Sequence, residues 1–126
     1  MSNIIEALTE TVRGRVITRS DSDYDEARAI WNGMIERRPA VIVRCAETAD
    51  VIRAARFARE HDLLVAVRGG GHNVAGNAVC DGGIVIDLSA MKGIEIDRQG
   101  RIVHAEPGLL WGEVDAATQA CGLATP

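Results

Sequence analysis

The chain has 126 residues, which is enough for one domain with a sizeable hydrophobic core. Its 14 basic and 18 acidic residues give a net charge of −4, which argues against the basic face that nucleic-acid binding needs. No apolar stretch approaches the roughly 20 residues of a membrane span. The N-terminus lacks the basic-then-apolar pattern of a signal peptide, so we expect a cytoplasmic protein.

The cysteines predict neither a disulfide framework nor a paired zinc site. Cys45, Cys80 and Cys121 are an odd number at wide spacing. We expect all three to be reduced and to act as small apolar side chains. We predict no metal site.

The first part of the chain is mostly polar. Residues 2–11 predict a short helix, residues 12–25 predict a loop, and Asp23 is placed to cap a second short helix. We therefore divide the chain into an N-terminal helical segment over 1–30 and a domain over 31–126.

A predicted helix between two apolar strands comes next. Residues 40–44 form a continuous, largely β-branched run, which predicts a buried strand. Small apolar side chains recur along a predicted helix over 48–61, and residues 63–67 predict a second apolar strand. A strand, a helix and a strand in so short a stretch are typical of a βαβ unit with parallel strands.

The remaining elements follow a different pattern. Residues 84–88 predict another strand, while residues 94–97 and 101–105 flank a tight turn and predict a hairpin with one wet face. A helix begins near Leu110, and Gly122 ends it. We predict an α+β fold, in which a small parallel βαβ subdomain precedes two or three strands that begin an antiparallel subdomain. With no closing element, the sequence is expected to be the front of a larger domain.

A glycine-rich run after the second apolar strand is the strongest functional signal, and it has the sequence Val67-Arg68-Gly69-Gly70-Gly71-His72-Asn73-Val74-Ala75-Gly76. Glycines after a strand can leave several N–H groups free to bind one anion, often a phosphate. Ligands also bind at the carboxyl ends of strands in parallel sheets. A flexible turn between strands is the alternative interpretation.

Two common phosphate-binding loops do not match this run. The Rossmann pattern requires glycine at the first, third and sixth positions, and counting from Gly69 the sixth is Val74. The Walker pattern requires Lys and then Ser or Thr after its second glycine, where this chain has Asn77 and Ala78. The sequence therefore argues against ATP with magnesium and leaves another phosphate-bearing ligand open.

Three ordered motifs resemble those of a known family. Besides the glycine-rich run, they are the stretch from Asp81 to Met91 and the stretch Ala105-Glu106-Pro107-Gly108 with Trp111. Together they are similar to FAD-linked oxidases of the vanillyl-alcohol oxidase type, and most similar to the bacterial berberine-bridge-enzyme-like oxidoreductases. The resemblance extends from about residue 24 to the end. It implies that the FAD pyrophosphate lies between a parallel and an antiparallel subdomain.

The resemblance also assigns functional residues. It implies that FAD is held by Arg68, Gly69, Gly70, Gly71, His72, Asn73, Pro107 and Gly108. It further implies that His72 forms a covalent bond to the 8α-methyl carbon of the flavin. From residue type alone, the Arg68 side chain suits a phosphate or a carboxylate. Asp87 is expected to bond backbone at the end of its strand, and Trp111 is expected to be a packing residue.

The expected function is the N-terminal FAD-binding portion of a flavin-dependent oxidoreductase that oxidises a small molecule by hydride transfer to FAD. The family's substrate domain has no counterpart in these residues, so we assign no catalytic residue and expect this fragment alone to be inactive. The alternative is a truncated, non-catalytic module that binds a nucleotide or self-associates through open sheet edges. A nucleotide-binding regulatory domain is a third interpretation, which only the glycine loop favours.

Overall fold

The computed structural model describes every residue from Met1 to Pro126. In chain order the elements are α1 (Ser2–Thr11), β1 (Arg15–Thr18), α2 (Tyr24–Arg28), β2 (Val41–Arg44), α3 (Thr48–Glu60), β3 (Val65–Arg68), β4 (Ile84–Asp87), β5 (Ile94–Asp97), β6 (Ile102–Ala105) and α4 (Trp111–Gln119). None of the helices has the length and apolar character needed to cross a membrane.

A four-stranded sheet contains the predicted parallel unit. Its strand order is β1-β2-β4-β3, and β4 pairs in parallel with both β2 and β3. The strands β2 and β3 therefore run in the same direction, with α3 between them in sequence, which confirms the βαβ prediction. The strand β4 lies between them and pairs with each.

The structure corrects the position that we expected for β4. We placed the strand at residues 84–88 among the first strands of the antiparallel part, but it is the centre of the parallel sheet. All residues of β4 are buried, because hydrophobic clusters form on both faces of this sheet. A continuous apolar run without alternation is typical of such a central strand, so the sequence did contain the signal.

The strand β1 lies where we predicted a loop. It pairs antiparallel with β2, and Ile17 is fully buried opposite Ile42. Polar residues on both sides of this short strand hid it in the sequence. The helix α2 begins after Asp23 as predicted, but the Asp23 carboxylate binds the Arg15 guanidinium and does not cap the helix.

Each face of the four-stranded sheet has its own hydrophobic cluster. The helices α1 and α3 cover one face, where Leu8 and Phe57 join Val43 in a cluster. The helix α2 contributes to the other face, where Tyr24 joins Ile42. Elements from the first part of the chain thus contribute to both clusters, while the division of the chain at residue 30 stays a prediction.

A two-stranded sheet follows, and it confirms the predicted hairpin. The strands β5 and β6 pair antiparallel along their whole length. The helix α4 comes next, and its end is marked by Gly122 at a φ of +70° and by a hydrogen bond from the Leu123 N–H to the Thr118 carbonyl. The α+β fold with a parallel part before an antiparallel part is therefore confirmed.

Candidate functional site

The glycine loop, residues 69–76, leaves the carboxyl end of β3. The Leu88 N–H, just after β4, donates to the Arg68 carbonyl at 2.8 Å and holds the start of the loop beside the central strand. Gly69 lies against the segment after β6, since a Cβ at Gly69 would be 2.9 Å from the Pro107 carbonyl oxygen. The two stretches that the resemblance singled out therefore meet at this edge of the sheet.

The loop presents a row of unused backbone donors. None of the N–H groups from Gly69 to Ala75 has a hydrogen-bond partner within the chain. Most of these residues are exposed. Gly71 has a φ of +74°, a left-handed conformation that only glycine adopts at little cost. Because backbone N–H groups are strong donors, a row of them in a turn is suited to an anionic group.

A short segment before β2 fixes the carbonyls of the same loop. We call residues 31–37 the clamp segment. Its hydrogen bonds to the loop run from the Trp31 N–H to the Gly71 carbonyl (3.0 Å), from Asn32 Nδ2 to the Val74 carbonyl (2.8 Å) and from Arg37 Nη1 to the Gly76 carbonyl (2.7 Å). In a trans peptide the C=O and N–H point in opposite directions, and the chain has no cis peptide bond. The N–H groups of His72 and Ala75 therefore point away from the clamp segment.

The Arg68 side chain supports the loop from within the protein. Its Nη1 donates to the Ala27 carbonyl at 2.9 Å and to the Ala29 carbonyl at 2.6 Å. Its Nε is buried without a hydrogen-bond partner and would lie 3.1 Å from a Cβ at Gly71. The guanidinium thus joins the end of α2 to the loop, a role that the sequence prediction of a phosphate or carboxylate partner did not include.

The His72 imidazole lies on the exposed side of the loop. A Cβ at Gly70 would be 3.1 Å from its Cδ2, so the ring folds back over the glycines. The Trp31 ring lies beside it, with 6.1 Å between the ring centroids and a tilt of 32°. Trp31 is 64% exposed. An accessible imidazole next to an exposed indole suits the edge of an aromatic ligand.

The two remaining stretches of the site are held by backbone contacts. The Asn73 Oδ1 accepts from the Asn77 N–H at 3.1 Å, which closes a turn within the loop. The Gly108 N–H donates to the Met91 carbonyl at 2.9 Å, and a Cβ on Gly108 would collide with the carbonyls that follow β4. Pro107 and Gly108 therefore lie close to the chain that leaves the central strand.

Two further expectations have opposite outcomes. The buried Asp87 accepts the Ser89 N–H on Oδ1 at 2.9 Å, which confirms its expected bond to backbone. Its other oxygen, Oδ2, accepts from Arg44 Nε at 3.1 Å. The prediction that Trp111 is a packing residue was wrong, because its side chain is 70% exposed at the start of α4.

Sequence reasoning missed the clamp segment. Trp31, Asn32 and Arg37 lie between α2 and β2, in a stretch without helical or strand periodicity. Their partners in the loop are about forty residues further along the chain, as in the separation of 42 between Asn32 and Val74. A tryptophan and an asparagine in an otherwise irregular segment were the only signal, and they do not identify a partner.

The residues of this site fit the diphosphate of a dinucleotide. Unpaired N–H groups are available for its oxygens, and the glycines leave room for them to approach the backbone. The Pro107 carbonyl lies beside Gly69, so the stretch after β6 borders the loop. No cluster of His, Cys, Asp or Glu that could hold a metal ion is present.

Comparison with known proteins identifies the family of this chain. The family profile described as FAD binding domain matches residues 39–126. The (R)-6-hydroxynicotine oxidase of Paenarthrobacter nicotinovorans is 39% identical over 114 residues, which are 90% of this chain and 25% of that protein. The uncharacterized FAD-linked oxidoreductase YgaK of Bacillus subtilis is 38% identical over 113 residues, again 90% of this chain and 25% of that protein. The chain thus spans about a quarter of the length of these relatives.

Solved structures agree with the sequence relatives. The 6-hydroxy-D-nicotine oxidase from Arthrobacter nicotinovorans superposes with a TM-score of 0.85 at 38% identity, over 89% of this chain and 25% of that one. The BBE-like 1 protein of Physcomitrella patens has the same TM-score of 0.85 at 22% identity, over 92% of this chain and 26% of that one. The second likeness concerns the fold alone.

Proposed function

The chain belongs to the FAD binding domain family, and we propose that it is the N-terminal FAD-binding part of a flavin-dependent oxidoreductase that oxidises a small molecule. The observation that carries this proposal is the row of unpaired N–H groups from Gly69 to Ala75 beside Pro107. When bound, FAD supplies the redox chemistry by accepting a hydride from the substrate. The residues of this chain hold the cofactor and orient it.

We assign the diphosphate to the backbone of the glycine loop. The proposed cofactor-binding residues are Arg68, Gly69, Gly70, Gly71, His72, Asn73, Pro107 and Gly108. In this set Arg68 contributes its backbone and supports the loop, since its guanidinium binds the Ala27 and Ala29 carbonyls. Pro107 lies directly against Gly69, and Gly108 follows it beside the carbonyls that leave β4. The chain binds the diphosphate mainly through N–H dipoles, which suits its net negative charge.

We further propose that His72 is covalently attached to the flavin. An imidazole can form such a bond when it is neutral, accessible and held at the edge of the ring system. The exposure of His72 on the open side of the loop supports this role, as does its position next to Gly70. Attachment would prevent loss of the cofactor. The resemblance to vanillyl-alcohol oxidase-type enzymes motivates the assignment.

The absorption spectrum before and after acid precipitation tests both proposals. Protein expressed from the complete gene should be yellow, and its flavin should stay with the acid pellet. In His72→Ala the flavin should pass entirely into the supernatant, because no other imidazole lies at the loop. His104→Ala is the matched control, since His104 is exposed on β6 away from the glycines, and it should keep the attached flavin.

Each proposal has its own contrary result. A colourless wild-type protein that takes up no added FAD would contradict FAD binding. Acid-stable flavin in His72→Ala, at the wild-type level, would contradict the covalent role of His72 and leave FAD binding intact.

Self-association is the second candidate function. The strand β3 is an edge of the four-stranded sheet, and on it Val65 is 42% and Val67 is 55% exposed. Edge strands with exposed apolar side chains favour pairing with another chain. Light scattering at increasing protein concentration distinguishes the two functions, because a self-associating module would form dimers without any flavin uptake.

A cytoplasmic location also stays a proposal. It is supported by the three cysteines, which are all free thiols as expected in a reducing compartment. Fractionation of the source cells, with flavin fluorescence as the marker, would test it.

A further inference from the structure

We infer that Asn32 is a positioning residue, which turns the N–H groups of the glycine loop toward a bound diphosphate. This inference rests on the proposed function, because it assumes that the loop receives a phosphate-bearing ligand. Asn32 has no position in any of the motifs that suggested FAD binding. It acts at a distance from the ligand, through the Val74 carbonyl.

The Asn32 carboxamide is held from both ends. Its Oδ1 accepts the Met34 N–H at 3.1 Å, and its Nδ2 donates to the Val74 carbonyl at 2.8 Å. The Asn32 carbonyl in turn accepts the Ile35 N–H at 3.0 Å, so the residue is the corner of a tight turn. A single orientation of the Asn32 side chain therefore makes both the hydrogen bond within the turn and the hydrogen bond to the loop.

The Val74 carbonyl is the middle one of the three that the clamp segment fixes. Trp31 and Arg37 bind the carbonyls of Gly71 and Gly76 on either side of it. Trp31 uses its backbone N–H, and Arg37 uses a charged side chain that also binds the Val79 carbonyl, whereas Asn32 uses a neutral side chain whose Nδ2 has one acceptor. Removing its Nδ2 donor frees the middle peptide and leaves the outer two attached.

Fixing the carbonyls matters because free N–H groups alone do not make a binding site. A glycine loop that samples many conformations loses that freedom when a ligand orders it, and the affinity falls accordingly. Once the Val74 carbonyl is fixed, the Ala75 N–H has a single direction. The clamp segment thus orders the loop before the ligand arrives.

Titration of the flavin-free protein with ADP tests this role. ADP contains a diphosphate but no flavin, so covalent attachment does not interfere. The protein is expressed from its complete gene in riboflavin-starved cells, and the Kd for ADP is measured by calorimetry at one fixed salt concentration. Asn32→Ser keeps an acceptor for the Met34 N–H but is too short to reach the Val74 carbonyl. We expect it to bind ADP about tenfold more weakly than wild type, as for loss of one hydrogen bond near a charged group.

Two further variants separate positioning from folding. Asn77→Ala is the matched control, because Asn77 is exposed directly after the loop and its side chain makes no hydrogen bond, and it should bind ADP like wild type. Asn32→Ala also removes the Met34 bond. If Asn32→Ala weakens ADP binding while Asn32→Ser does not, the turn carries the effect and the inference is overturned. Melting temperatures and circular dichroism show whether each variant is folded. If Asn32→Ala does not fold, the ADP affinity of Asn32→Ser alone tests the inference.

The outcomes for the inference and for the proposed function are distinct. Wild-type binding of ADP together with unchanged binding by Asn32→Ser would overturn the positioning role alone. Failure of the wild-type protein to bind either ADP or FAD would instead overturn the proposed function. The NMR order parameter of the Ala75 amide in the flavin-free protein, lower in Asn32→Ser than in Asn77→Ala, is the expected second readout, because it measures how firmly the middle peptide is held.

Discussion

Two glycine segments lie at opposite ends of the parallel strands β3 and β4, and they use glycine for different purposes. Gly69 to Gly71 follow β3 at its carboxyl end, and their N–H groups have no partner in the chain. Gly82 and Gly83 precede β4 at the amino end. The Gly82 N–H donates to the Arg38 carbonyl at 2.9 Å, and the Gly83 carbonyl accepts the Ala40 N–H at 2.8 Å.

Gly82 and Gly83, at the amino end, allow close packing of the chain. Gly83 is buried, and a Cβ there would collide with the Leu64 carbonyl and lie 3.0 Å from the Cys80 sulfur. The absence of a side chain lets two strands start side by side. At the carboxyl end the absence of side chains leaves backbone donors open to a ligand. Glycine content therefore does not by itself distinguish a closed junction from a binding site, whereas the count of unpaired N–H groups does.

The largest expected effect is that of Gly83→Ala, which would disrupt the packing of β3 against β4 at their amino ends. The new methyl group would meet main-chain atoms, and these cannot move without separating β3 from β4. We expect a loss of about 3 kcal/mol in the free energy of unfolding, at the upper end of overpacking costs. Urea unfolding measures it. If Gly83→Ala were as stable as wild type, the amino ends of the strands would not be tightly packed. The two glycine segments would then not differ in packing.

Gly71→Ala and Gly82→Ala form a matched pair that sharpens the comparison. Both residues have a positive φ, +74° for Gly71 and +67° for Gly82, and each substitution should cost about 1–2 kcal/mol of stability. Only Gly71 belongs to the loop with free N–H groups. We therefore expect Gly71→Ala to lose FAD uptake and Gly82→Ala to retain it.

The surroundings of the two glycines differ, so the melting temperature of each variant is measured together with its FAD uptake. A Cβ at Gly82 has no heavy atom within 4 Å, whereas one at Gly71 would lie 3.1 Å from the Arg68 Nε and press on the guanidinium. FAD uptake is measured as bound flavin per protein after gel filtration. Equal losses of FAD uptake in both variants would mean that protein stability alone controls uptake. The glycine loop would then have no specific role in binding FAD.

The elements of the carboxyl-end site could be predicted from sequence where they depend on local pattern. The apolar run at 40–44 and the helical spacing over 48–61 predicted β2 and α3. The glycine run itself marked the loop. These signals are local, because β-branched residues, helix periodicity and glycine conformation act within a few neighbours in the chain.

The parts that sequence reasoning did not find depend on long-range partners. The clamp segment contacts the loop across about forty residues, and nothing in residues 31–37 shows which carbonyls they bind. The Arg68 guanidinium was expected to bind a phosphate or a carboxylate, but it binds the carbonyls at the end of α2. A guanidinium binds all three acceptors well, so residue type alone could not decide between them.

The smallest expected effect concerns the amino end of the strands, and it is measured without any substitution through the reactivity of the Cys80 thiol. Cys80 lies beside Gly83, and burial raises the pKa of its thiol above the ordinary value. Burial also raises the pKa of the Cys45 thiol to about 11, whereas Cys121 is partly exposed after α4. The thiolate is the reactive form, so both buried thiols should resist a thiol reagent at pH 8, and raising the pH to 9 should change their reactivity little.

One thiol per chain, Cys121, should react with Ellman's reagent in the native protein, and all three should react in urea. Fast reaction of Cys80 in the native protein, assigned by mass spectrometry, would mean that the junction at Gly83 opens. The two glycine segments would then differ in the ligands they can take but not in how firmly they are packed.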